Sequence, residues 1–122
     1  MSGYRLIRQP SRSNDRQFVW AALLQARAAT AGDDLVEAIG RVALVLAAVE
    51  ALHPDAKRWP AWTDLDRSWW AMHTAASTLS PRSVQGHLLA STLAAIHALE
   101  AALTMADDDE ATLASMERTG GL

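Results

Sequence analysis

The sequence has no cysteine, a single lysine, a single phenylalanine and a single tyrosine in 122 residues. The missing thiols exclude disulfides, thiolate metal centres, iron–sulfur clusters and cysteine nucleophiles together. Prolines number only four and glycines six, so few breakers interrupt the chain. The longest apolar run, residues 42–49, is far short of the roughly 20 residues that cross a bilayer. The opening MSGYRLIRQPSR lacks the apolar stretch of a signal peptide. These absences predict a soluble, cytoplasmic protein with no membrane partner. No glycine-rich phosphate loop, no paired acid–base carboxylates and no nucleophile–base spacing stands out, so no cofactor is implied.

Alanine is abundant instead, with 25 residues, and half the chain is apolar against one fifth charged. That balance excludes a disordered chain, and the length suits one domain with a real core. Arginine exceeds lysine ten to one, which together with the alanine content fits a high-GC bacterial genome. The net charge of −3 argues against nucleic-acid binding by a generally basic surface, without excluding a local contact. The charge is unevenly spread. Arg5, Arg8, Arg12 and Arg16 against Asp15 leave residues 1–16 at +3, and six acids against Arg118 leave residues 100–122 at −5. Such a basic head and acidic tail can attract each other within one chain or between two copies.

The apolar spacing is helical almost throughout and no strand pattern competes. Residues 1–13 read as an irregular basic arm broken at Pro10, and residues 14–122 as a single all-α domain, a four-helix bundle with a short fifth helix. The first predicted helix covers 15–31, with Asn14 as N-cap, Gln17 completing a capping box and Gly32 as the stop. The second covers 34–52, starting on Asp33-Asp34 and ending before Pro54. Residues 53–61 read as a loop. The third covers 64–79, with Thr63 and Asp66 as a second capping box. The fourth opens at Ser80-Pro81, an N-cap followed by proline, and reaches 106. The fifth covers 108–118, after the acidic run and before Gly120-Gly121.

At 100° per residue, the second helix has an apolar arc of more than a third of its circumference: Leu35, Ala38, Ile39, Val42, Val45, Leu46, Val49 and Leu52. Only Glu37 and Arg41 mark a clear outer strip. The fourth has a similarly broad arc through Val84, Leu88, Leu89, Ile96, Leu99 and Leu103. The third is narrower, with Leu65, Trp69, Met72, Ala76 and Leu79. In the first, Trp20, Leu24, Ala28 and Ala31 share a face, Phe18 points away and Arg27 falls inside the apolar arc. Broad arcs on two helices of so short a chain predict self-association.

Three motifs bear on chemistry. Glu50-x-x-His53 has the spacing of a di-iron ligand pair on a bundle helix, and His97-x-x-Glu100 offers the same types reversed. A di-iron site wants two forward pairs and two further inward glutamates, which the chain lacks, so no metal is expected. Glu50, His53, His97 and Glu100 are the candidate ligands if there is one. The stretch Leu79-Ser80-Pro81-Arg82-Ser83-Val84-Gln85-Gly86-His87-Leu88 resembles the opening of the recognition helix in LuxR-type helix-turn-helix regulators. That ten-residue resemblance implies that Arg82 and Ser83 face DNA. The helix before it reads Met72-His73-Thr74-Ala75-Ala76-Ser77 and lacks the family's pattern, and after His87 no lysine or arginine follows until Arg118. Arg82-x4-His87 is also similar to the Arg-x4–6-His motif of HEPN ribonucleases, small all-α dimers. This implies metal-independent RNA cleavage by Arg82 and His87. On a regular helix the two lie about 140° apart, so the site would have to be completed across a dimer.

Tryptophan is concentrated: Trp59, Trp62, Trp69 and Trp70 fall within twelve residues. Trp62 and Trp69 share a face with Leu65 and Met72. Trp70 turns about 100° away, beside Asp66, Arg67 and His73. Adjacent rings cannot both bury against one neighbour, so Trp69 is expected in the core and Trp70 at the surface. Trp59, Trp62, Arg67, Trp70 and His73 are therefore the candidate partner-binding residues. The function expected is a non-enzymatic interaction or accessory protein, homo-oligomeric, working through a helix face. The alternatives are a DNA-binding regulator using the helix that starts at Ser80, and a HEPN-like ribonuclease.

Overall fold

A computed structural model of the chain describes residues 12–120, the side chains of residues 12, 13, 114 and 117–120 lying outside the description. The chain is all-helical. Four α-helices follow one another, α1 (Arg12–Ala31), α2 (Leu35–Leu52), α3 (Pro60–Ser77) and α4 (Arg82–Gly120), with a 3-10 turn at Pro54–Arg58 between α2 and α3. Among the described residues there is no strand. Most of the predicted basic arm lies outside the described residues, and Arg12 and Ser13 already belong to α1.

Each helix packs on the next, α4 returns to α1, and α2 meets α4 only thinly across the middle. The short links make successive helices antiparallel. Ion pairs follow the same register along α1 and α4, from Arg27–Glu100 at 3.1 Å to Arg16–Asp107 at 3.2 Å, with Arg16 also meeting Glu110. A residue of the basic head thus pairs with two acids of the tail. The fully buried centre holds Leu23, Val42, Val45, Leu65, Met72, Ile96, Leu99 and Leu103. Burying each large apolar side chain contributes about 1.5–3 kcal/mol. Thr92 is fully buried among them because its hydroxyl donates to the Leu88 carbonyl one turn back, at 2.7 Å.

The helix ends differ from the sequence expectation for local reasons. Asn14 lies inside α1 rather than capping it. Asp34 caps α2, its carboxylate accepting the Glu37 amide at 3.1 Å. Proline fits the first helical position, and Pro60 takes it, so α3 begins four residues before 64. Thr63 is then interior and donates to the Lys57 carbonyl at 3.3 Å instead of capping. α3 ends at Ser77, so Leu79 leaves the helix with φ 49°, the left-handed region, and is 97% exposed. The Ser80 hydroxyl meets the Thr78 hydroxyl at 3.0 Å, and α4 begins at Arg82.

The separate fifth helix is corrected: α4 continues unbroken through the acidic run to Gly120. Neither glycine nor proline occurs between Gly86 and Gly120. Arg16 offsets the clustered carboxylates that would otherwise repel one another mid-helix. The stretch Arg82–Leu113 is long and apolar enough to cross a membrane by length and composition, a test that core helices of soluble proteins also pass.

The α1 face is also corrected. Val19, Ala22, Leu23, Ala26 and Ala29 are buried, while Phe18, Leu24, Ala28 and Ala31 are exposed and Trp20 is half-buried. Arg27 leaves the apolar arc to pair with Glu100. Small side chains on the buried arc let α2 and α4 approach α1 closely, so the alanine-rich arc packs in preference to the bulkier one. On α3 the core residues are Leu65, Met72 and Ala75, while Ala76, and Leu79 beyond the helix end, face solvent. On α4, Leu89, Ile96, Leu99 and Leu103 are buried, Leu88 is half-buried and Val84 is exposed. α2 buries the arc expected of it, with Ile39 half-buried.

Candidate functional site

The tryptophans of α3 divide by direction. Trp62 and Trp69 lie one heptad apart and turn towards α2, where their indole N–H groups donate to the carbonyls of Leu46 at 3.2 Å and Ile39 at 2.9 Å. Both rings are half-buried against the core. Trp70, one residue on, is 57% exposed and stands edge-on to Trp69, their ring centroids 4.8 Å apart at 86°. His73 stacks on Trp69 from the next turn at 5.3 Å and 29°, and lies 6.1 Å from Trp70. The three rings form one cluster at the α2–α3 seam, with Trp70 and His73 outermost. Edge and offset ring contacts of this kind hold aromatic side chains in fixed orientation without burying them.

Arg67 is exposed and pairs with Asp64 at 3.6 Å. Trp59 lies away from this cluster, half-buried where the 3-10 turn meets α3, its ring 5.2 Å from that of His53. Of the five candidate partner-binding residues, Trp70 and His73 therefore stand together in the open, Arg67 is exposed on the same helix, and Trp59 and Trp62 hold α3 to its neighbours.

The neighbouring face of α2 was not singled out from the sequence. Val36, Gly40, Ala43, Leu44, Ala47 and Ala51 recur at helical spacing along its outward side. All are exposed except the half-buried Ala43, Val36 reaching 72%. None carries a charge or a hydrogen-bonding side chain. The nearest charges stand at its two edges, where Glu37 faces Arg41 at 3.8 Å, Arg41 also donates to Gln25 at 2.7 Å, and Glu50 pairs with Lys57 at 2.9 Å. A Cβ at Gly40 would meet nothing within 4 Å. Ile39, which receives Trp69, sits roughly 60° round the helix from Val36, so the aromatic cluster borders this stripe. A helix that is apolar almost all round is ordinarily covered on every side.

The other candidates fall elsewhere. Arg82 borders a groove of about 500 Å³ between the end of α1 and the start of α4, together with Thr30, Gly32, Asp33 and Gln85. Asp34 lines an adjoining groove that Arg82 also borders. His87 is exposed and lines neither. Glu50 pairs with Lys57 at 2.9 Å, and His53 is buried at the end of α2, its amide donating to Val49 at 2.8 Å. His97 meets Glu100 at 3.2 Å on α4, where Glu100 also holds Arg27. Among the described residues, no three His, Asp or Glu side chains gather closely enough to hold a metal ion.

Set against known proteins, the chain matches no family model, no curated protein and no solved structure.

Proposed function

We propose that this chain is a four-helix bundle that works as a non-enzymatic interaction protein, self-associating through the outward face of α2 and the Trp70–His73 edge of α3. The observation that carries this reading is the uncharged stripe from Val36 to Ala51. A chain of net charge −3 repels its own copy in general, but this face offers nothing that does. A two-fold pairing sets the same patch on itself, so an uncharged apolar face is compatible with itself in polarity, and the open position at Gly40 leaves room for close approach of a second helix. Trp70 supplies the large, orientation-fixed ring that interfaces favour.

Light scattering across a concentration series tests this. The wild-type chain is expected to exceed the 13.2 kDa monomer mass at high micromolar concentration. Ala47→Glu, which places a charge mid-stripe on an exposed position, is expected to give a folded monomer. A wild-type chain that stays monomeric throughout overturns the reading.

The two nucleic-acid readings have less support. Asp33 and Asp34 beside Arg82 repel the phosphates that a regulator's first helical turn has to meet. A ribonuclease needs Arg82 and His87 completed across a dimer at the start of α4, and His87 lines neither groove that Arg82 borders.

A further inference from the structure

A groove of about 670 Å³ lies at the end of the fold opposite Arg82, between the turn that follows α2 and the C-terminal half of α4. Trp59 and Asp55 line one wall, with His53 behind them, and Met105, Asp109 and Glu110 line the other. Among the described residues no lysine or arginine lines it. Trp59 is held both at its main chain and at its ring. Its main chain joins the 3-10 turn to α3 between Pro54 and Pro60, which restrict the backbone, and its ring leans on His53.

Three properties of this cavity agree on one kind of ligand. An indole presents a negative face that attracts cations, and a thioether adds a polarisable apolar contact. Carboxylates stand on both walls, from different elements. Glu110 is met by Arg16, but Asp55 and Asp109 have no ion-pair partner among the described residues. The acids are also dispersed around the cavity rather than gathered at a point, since no three of them could hold a metal ion among the described residues. A compact metal ion is poorly served by that layout, whereas a bulky cation with diffuse charge and an apolar body suits it.

We propose that this groove binds a small organic cation, a substituted ammonium whose charged head rests on Trp59 between Asp55 and Asp109 and whose apolar part runs along Met105. The site is separate from the α2–α3 face, so either can fail without the other.

Calorimetric titration of the full chain at low ionic strength tests it, with choline as the probe and 3,3-dimethylbutan-1-ol as its uncharged isostere. Choline is expected to bind saturably at one site, and the isostere about 10-fold more weakly, as loss of a cation–π contact and its flanking charge implies. Asp55→Asn with Asp109→Asn, both on exposed positions, is expected to weaken choline at least about 5-fold while leaving helicity unchanged. Trp59→Phe keeps a weaker ring and is expected to fall between wild type and the double variant. Equal binding of choline and its isostere, no saturable choline binding, or full choline affinity in the double carboxamide variant each overturn the proposal.

Discussion

Trp69 donates its indole N–H to the main-chain oxygen of Ile39 across the α2–α3 seam, at 2.9 Å. Trp62 does the same to Leu46 at 3.2 Å. Donors and acceptors are each one heptad apart, so the two bonds set a single antiparallel register. A helical carbonyl has a second lone pair beyond the one its own helix uses, so α2 gives up nothing to accept them.

The two adjacent tryptophans are therefore expected to differ in kind. Trp69→Phe keeps a ring but removes the donor, and is expected to cost about 1–2 kcal/mol, the cost of a lost hydrogen bond with a little volume. Trp69→Ala opens a cavity beside the core and is expected to cost about 3–5 kcal/mol. Trp70→Ala removes an edge contact from an exposed ring, worth about 0.5–1.5 kcal/mol, and is expected to weaken self-association. Urea unfolding followed by circular dichroism ranks the three. Equal losses for Trp70→Ala and Trp69→Ala would place both rings in the core.

Leu79 carries a backbone cost without compensation from its side chain. Its φ of 49° is a conformation that costs an L-residue about 1–2 kcal/mol, and its side chain is almost wholly in solvent. Glycine removes that strain but loses about 0.5–1 kcal/mol in unfolded-chain entropy. Leu79→Gly is thus expected to stabilise by roughly 0.5–1 kcal/mol, read as a rise in urea midpoint. A loss of stability would mean that Leu79 makes a contact in solution that the isolated chain lacks.

Arg16 is the cation that lets α4 run through its acidic stretch. It meets Asp107 and Glu110, all three side chains about a third exposed or less. Arg16→Ala is expected to cost about 0.5–1 kcal/mol globally, the low value reflecting partial solvent screening. Its larger effect is local: amide exchange should quicken in α4 beyond Asp107 and not around Leu89–Leu99. Raising salt should shrink the difference from wild type, because screening weakens both the attraction and the repulsion among the acids.

The legible and illegible parts of the fold separate along the same physical line. The buried arc of α2 could be read because its apolar residues outnumber any alternative arrangement on that helix. α1 could not, because the Trp20–Leu24 arc is as apolar as the Val19–Leu23–Ala26 arc, and the choice depends on how closely α2 and α4 can approach. The continuity of α4 was hidden because the residue that neutralises its acids lies 94 positions upstream of Glu110. The roles of Trp62 and Trp69 were only half visible: their shared face follows from spacing, but their acceptors are main-chain carbonyls that leave no pattern in a sequence. The outward direction of Trp70 could be read from its angle to Trp69. The bare stripe on α2 was visible only as excess breadth, since which side stays uncovered is set by the placement of α1 and α3.

Gly40 gives the sharpest test of that stripe, because one substitution is expected to move two measurements in opposite directions. In an isolated chain a Cβ at Gly40 meets nothing within 4 Å, and alanine is the better helix former by about 0.8–1 kcal/mol. Gly40→Ala is therefore expected to raise the stability of the monomer by roughly that amount. If a second copy lies against this face, the missing side chain is where its helix comes nearest, and the added methyl group holds the two apart. Association is then expected to weaken as monomer stability rises. Gly86→Ala supplies the control: its Cβ also meets nothing within 4 Å, but it sits on α4 in the groove lined by Thr30 and Gly32, which no residue of the stripe borders. It is expected to stabilise the fold and leave association unchanged. Urea unfolding at low concentration gives the first quantity, and light scattering across a dilution series gives the second. If Gly40→Ala and Gly86→Ala both stabilise and neither alters the association, Gly40 faces water in solution and the interface lies on another helix.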